Sequence, residues 1–133
     1  MISTLRFLIV DDNADSRFLL VKTLLRKFPG AVVQECQDAD AAVQIAASEK
    51  PAAIITHRAG DIDGLTLIRL VRRVNPTVPI VMVSGLDRKT DALAAGATRF
   101  LNYDEWLRIG SLVAELISRP TANPEDAGEP ALN

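Results

Sequence analysis

The sequence predicts an α/β domain in which five βα units form a three-layer, doubly wound parallel sheet. Two observations predict it. Short runs of apolar and β-branched residues alternate with longer stretches whose apolar residues recur at helical spacing, which is the pattern of successive βαβ units. Three of the short runs are almost wholly apolar, as strands covered by helices on both faces are. With 133 residues, 48% of them apolar, the chain has the length of one domain and an aliphatic core to fill it.

The predicted strands are Arg6 to Val10, Val32 to Cys36, Ala53 to Thr56, Ile80 to Val83 and Arg99 to Leu101. The first helix begins after Asn13 as N-cap and runs to about Phe28, with Phe18, Val21, Leu25 and Phe28 on its apolar face, and Pro29-Gly30 stops it. Asp38 or Asp40 caps a second helix through Ala47, buried along Ala42, Ile45 and Ala46. Asp63-Gly64 opens a third, with Leu65, Ile68, Val71 or Leu67, Leu70, Val74 inward, and Asn75-Pro76 ends it. A short fourth helix spans about Asp87 to Ala95 and closes at Gly96; the fifth is capped near Asn102 or Asp104 and carries Trp106, Ile109, Leu112, Val113, Leu116 and Ile117 at helical spacing. Arg69, Arg72 and Arg73 read as a solvated helix face, and Trp106 reads as core. The segment 120–133, rich in Pro, Asn, Glu, Asp and Gly, is expected to be a disordered tail or the start of a linker, leaving 1–119 as the domain.

Composition narrows the function classes. A net charge of −2 and a pI near 5.3 offer no basic field to a phosphate backbone, so no direct nucleic-acid partner is expected. The run Leu5 to Val10 is interrupted by Arg6 and stops at two aspartates, too short for a signal or spanning segment, so a cytoplasmic protein without a membrane partner is expected. Cys36, the single cysteine, lies within Val32 to Cys36 and reads as a buried strand thiol.

Ligands of doubly wound sheets bind beyond the carboxyl ends of the strands. Asp11 and Asp12, Thr56 to Arg58, Ser84-Gly85 and Asn102-Tyr103 therefore form one constellation. Adjacent carboxylates at the end of a buried strand repel one another and lose hydration, so a cation or hydrogen-bond donors must compensate them. Asp11-Asp12 looks like half of a metal site.

Leu8 to Asn13, Pro51 to Gly64, Pro79 to Gly85, and Gly96-Ala97 followed by Phe100-Leu101 resemble, in order and interval, the receiver domain of two-component response regulators. The resemblance runs from Leu5 to Ser118. It implies a flavodoxin-like sheet in the order 2-1-3-4-5 and a module of phosphorelay signalling. In that family an aspartate at the end of the third strand accepts a phosphoryl group, Mg²⁺ sits on the acidic pair, and a lysine after the fifth strand completes the site. The metal and lysine offset charge on the transferring group, and a switch hydroxyl fixes one of its oxygens. Asp11, Asp12 and Ser84 match these positions, and Phe100 matches the aromatic that pairs with the switch hydroxyl.

Two positions depart. Counting from Pro51 places His57 at the phosphoacceptor, and counting back from Asp63-Gly64 places Thr56 there; neither is aspartate. Tyr103 stands where the lysine belongs. His57 has three readings: a rim histidine bonded to a neighbouring carboxylate or water; a protonated imidazole between Asp11 and Asp12, supplying the charge that metal and lysine bring; or a metal ligand or phosphoacceptor. With the third carboxylate gone, the expected Mg²⁺ site on Asp11 and Asp12 is weak or lost. Tyr103 is open to solvent, covers the site, or accepts a hydrogen bond from His57.

The expected function is a pseudo-receiver, not an enzyme, acting through phosphorylation-independent contact with a histidine kinase, phosphotransfer protein or output domain. The face of helix 4, strand 5 and helix 5 is the expected surface, with a homodimer through it also in keeping with the family. Two alternatives are a working receiver phosphorylated at Asp61, and a small metal-dependent phosphatase or hydrolase, for which no triad is recognisable.

Overall fold

A computed structural model describes residues 4–118; the expected boundary at 119 and the segment 120–133 lie outside the described residues. Strands β1 (Arg6–Asp11), β2 (Val32–Cys36), β3 (Ala53–Arg58), β4 (Ile80–Ser84) and β5 (Arg99–Asn102) alternate with helices α1 (Ala14–Lys27), α2 (Ala39–Ser48), α3 (Gly64–Val74), α4 (Lys89–Ala95) and α5 (Ile109–Ser118). All strand pairs are parallel, in the order β2-β1-β3-β4-β5, as expected. The near-continuous apolar runs are the central strands β1, β3 and β4, while β2 and β5, the edges, are only partly buried.

Period-two alternation splits the core into two layers. Phe7, Ile9, Ala53, Ile55, Val81 and Val83 pack against α1 and α5 through Leu20, Leu24, Val113 and Leu116. Leu8, Val10, Ile54, Ile80 and Met82 pack against α2, α3 and α4 through Ala42, Ala46, Leu67, Ile68, Val71 and Ala92. β2 has the predicted bounds, and the other four strands extend one or two residues further than the sequence predicts, so that Asp11, His57, Arg58, Ser84 and Asn102 belong to strand ends rather than loops.

The expected face of α1 holds at Val21 and Phe28, which pack against the core, and is corrected at Phe18. Phe18 is 60% exposed and lies under the Lys22 ammonium; the buried stripe is Ser16, Leu20, Thr23 and Leu24. Apolar residues surround this helix, so periodicity allowed two orientations. The polar members of the real stripe are satisfied: the Thr23 hydroxyl donates to Leu19 O at 2.8 Å and the Ser16 hydroxyl donates to Asp11. α2 keeps its expected Asp38 cap and stripe, with Ile45 only partly buried. α3 buries Leu65, Leu67, Ile68 and Val71 from both expected sets.

Arg72 is a second correction. Its guanidinium leaves the solvated face and donates to Gly96 O at 2.8 Å, Val78 O at 2.6 Å and Asn75 O at 3.2 Å, tying α3 to the turns before β4 and β5. Burial lowers its pKa, and the carbonyls make that burial tolerable. Gly96 caps α4 with φ of 121°, where a side chain would be strained. After β5, Asn102 caps a 3₁₀ segment over Tyr103–Arg108 before α5 proper begins, so the expected fifth helix starts later than its apolar spacing indicated. Trp106 and Tyr103 are half-buried against the α1/α5 layer.

Candidate functional site

The carboxyl ends of β1, β3, β4 and β5 open onto a cleft of about 700 Å³ lined by Asp12, His57, Arg58, Ser84, Arg88 and Tyr103, among others. Asp11, behind the lining residues Ser16 and His57, is wholly buried. Its Oδ1 accepts the Asn13 N–H at 3.0 Å, and its Oδ2 accepts the Ser16 hydroxyl and faces His57 Nδ1 at 3.1 Å. Burial pushes the Asp11 carboxyl up, and the bonds from His57, Ser16 and Asn13 more than offset it, holding its pKa below the ordinary carboxylate value. An ionised carboxylate only accepts, so Nδ1 carries the proton in the Asp11–His57 pair. Nδ1 also lies 3.3 Å from Ser16 Oγ.

Local backbone explains this convergence. Val10 pairs with Thr56, but Asp11 pairs with Arg58, so His57 is an extra residue on β3. Such a bulge re-aims a side chain at the end of a strand. His57 consequently lines the cleft, whereas Thr56 is 2% exposed and its buried hydroxyl has no hydrogen-bond partner. The bulge also sets Arg58 beside the acidic pair, where its Nε meets Asp12 Oδ1 at 3.3 Å and its carbonyl accepts the Asp12 N–H at 3.0 Å.

Tyr103 covers the site, its ring stacked on the His57 imidazole with centroids 4.7 Å apart and planes 13° from parallel. Ser84 is buried at the end of β4, and its hydroxyl accepts the Leu86 N–H at 3.1 Å. Phe100 is half-buried and packs with the α2/α3/α4 layer. Asp61 turns elsewhere: its carboxylate accepts the Ala39 N–H at 3.0 and 3.3 Å, where it complements the N-terminus of α2. Asp63 caps α3 through Leu65 N and pairs with Arg88 across the cleft at 3.1 Å.

The residues present do not fit Mg²⁺. That ion takes near-octahedral oxygen ligands, yet both Asp11 oxygens are engaged by protein donors, Asp12 Oδ1 faces a guanidinium, and His57 brings nitrogen where a third carboxylate belongs. Among the described residues, no group of three or more His, Cys, Asp or Glu side chains is arranged to hold a metal ion. Sequence reasoning placed Asp11, Asp12, His57, Arg58, Ser84 and Tyr103 together at the strand ends and missed Ser16. Ser16 had a signal, because the third residue after the Asn13 cap lies in the first helical turn and can face back to the strand end. Arg58 was placed there by its position after the third strand, but its pairing with Asp12 depends on the bulge. Cys36 is buried, as expected, and burial together with Asp38 raises its pKa to about 11.

No helix among the described residues is long and apolar enough to cross a membrane. Residues 7–104 match the response regulator receiver domain. The chain is 28% identical over 97 residues to the DNA-binding transcriptional regulator NtrC of Proteus hauseri, covering 70% of this chain and 20% of that protein. Over 135 aligned positions it is 30% identical to the response regulator MprA of Mycobacterium tuberculosis, covering 95% of this chain and 55% of MprA. The structure of the signal receiver domain of the response regulator NarL from Mycobacterium tuberculosis is similar with a TM-score of 0.78 and 25% identity, over 90% of this chain and 100% of that one. The chain thus spans a fifth of NtrC and about half of MprA. Strand order, the acidic pair on β1 and the match over 7–104 together make this chain a member of the response regulator receiver domain family.

Proposed function

We propose that this domain is a pseudo-receiver: a cytoplasmic two-component signalling module that accepts no phosphoryl group on aspartate, catalyses no reaction of its own, and acts by phosphorylation-independent contact with a partner protein. The observation that carries the reading is His57 Nδ1, 3.1 Å from Asp11 Oδ2, at the strand end where the family keeps its acceptor carboxylate. A Nδ1-protonated imidazole beside a buried anion satisfies that anion, and no aspartate remains there to attack phosphorus. Asp61 is a poor substitute, since the Ala39 N–H holds its carboxylate at α2.

The partner is a histidine kinase, a phosphotransfer protein or an output domain, and the surface is the α4-β5-α5 face. Leu93 on α4 at 42% exposure, with Leu86 at 71% in the loop before α4 and Leu107 at 64% in the segment between β5 and α5, supports that choice, because exposed apolar side chains next to one another mark contact surfaces where they form a patch. Self-association would use the same leucines. The deciding experiment incubates the protein with a small acyl phosphate and Mg²⁺ and measures intact mass. The expected spectrum carries no stable phosphoryl adduct; an adduct that disappears in Asp61→Ala would establish a working receiver instead.

A further inference from the structure

Three basic side chains of this chain converge on the acidic residues. Arg17, on α1, donates from Nη1 to the Asp11 backbone O at 2.8 Å while its Nε pairs with Glu35 at 2.9 Å. His57 and Arg58, made neighbours of the pair by the β3 bulge, take Asp11 Oδ2 at 3.1 Å and Asp12 Oδ1 at 3.3 Å. Ser16 and the Asn13 N–H occupy the remaining near side of Asp11. Two carboxylates at a buried strand end thus have donors where a hydrated divalent ion would otherwise sit, and each donor is covalently part of the chain.

Taking the pocket as a converted receiver site, we infer that His57 and Arg58 are its resident hydrogen-bond donors: they hold Asp11 and Asp12 in place of a divalent metal, and the domain takes up no Mg²⁺ in its cleft. The two residues act differently. His57 sits against a carboxylate with no exposed surface, and its side chain is only 11% exposed, so an ion entering there must displace a desolvated hydrogen bond. Arg58 is 59% exposed; its ion pair contributes little to stability, but it occupies an oxygen that an arriving cation needs. Metal affinity is therefore suppressed by occupancy at Asp12 and by ligand chemistry at position 57, where nitrogen replaces oxygen.

The test titrates Mn²⁺, a paramagnetic stand-in for Mg²⁺, while amide signals are monitored by NMR, and records melting temperature with and without millimolar Mg²⁺. In the wild-type chain the amides of Asp12, Asn13 and Arg58 stay as sharp as those of β2, and the melting temperature does not move. In the double variant His57→Asp with Arg58→Met, Mn²⁺ broadens those amides, and Mg²⁺ raises the melting temperature with affinity improved at least about tenfold. A double variant that folds only with Mg²⁺ present is the same gain in its extreme form. Saturable broadening at the acidic pair of the wild type overturns the inference, as does a folded double variant indifferent to both ions. Should the double variant fold under neither condition, Arg58→Met alone decides: freeing Asp12 must raise broadening above wild type, and an unchanged titration overturns the inference. A wild-type chain that is phosphorylated but unbroadened would defeat the proposed function and leave the inference about the donors standing; the reverse result would do the opposite.

Discussion

Asp11 has no solvent-accessible surface, and its charge survives on three hydrogen bonds. Its folded pKa lies below the unfolded value of about 3.9. The stability it contributes is therefore complete above that value and is lost as pH falls through the folded pKa. Melting temperature should drop steeply below about pH 4, and Asp11→Asn should flatten that acid limb; an Asn variant with the wild-type slope would assign the loss to other carboxylates. His57→Ala leaves a buried acceptor one donor short and should cost about 1–3 kcal/mol in urea unfolding. A cost near zero would mean that Ser16 and Asn13 suffice. At this scale the sequence showed which charged residues share the cleft, because a parallel sheet gathers the residues at its strands' carboxyl ends along one edge. It did not show that Ser16 belongs to the site or that Arg58 pairs with Asp12, since both contacts arise from local geometry, a helical turn and a bulge, rather than from composition.

Element placement was legible wherever a pattern had one solution. β1, β3 and β4 were central because their apolar runs are near-continuous, and Asn13, Asp38 and Asp63 cap the helices they precede. The face of α1 was not legible, for its apolar residues wrap the helix and only the docked sheet selects Leu20 and Leu24 over Phe18. Nor was Arg72, whose carbonyl partners lie 3 to 24 positions away. That contact makes a prediction about the α4–β5 turn. A Cβ at Gly96 would stand 2.7 Å from Arg72 Cγ, on a backbone with φ of 121°, so Gly96→Ala should destabilise the domain by about 1–3 kcal/mol. Arg72→Lys should also destabilise it, because an ammonium cannot span the same carbonyls. If calorimetry found Gly96→Ala neutral, the turn would be softer than its packing indicates.

For the whole molecule, the receiver architecture is kept. Under the proposed function the cleft has exchanged an acceptor and its metal for donors within the chain, and signalling passes through surfaces. Leu93→Ser and Leu107→Ser alter exposed side chains, so each should change stability by no more than about 0.5 kcal/mol while weakening capture of the partner or of a second copy; unchanged association in sedimentation would move the interface off this face. The most direct test of the central claim is an amide NMR spectrum of the wild-type chain before and after addition of Mg²⁺ with beryllofluoride, a mimic of the phosphoryl group. Superimposable spectra are predicted. Saturable shifts at Asp12, His57, Ser84 and Tyr103 would contradict it, because the cleft would then still bind what a phosphorylated receiver binds.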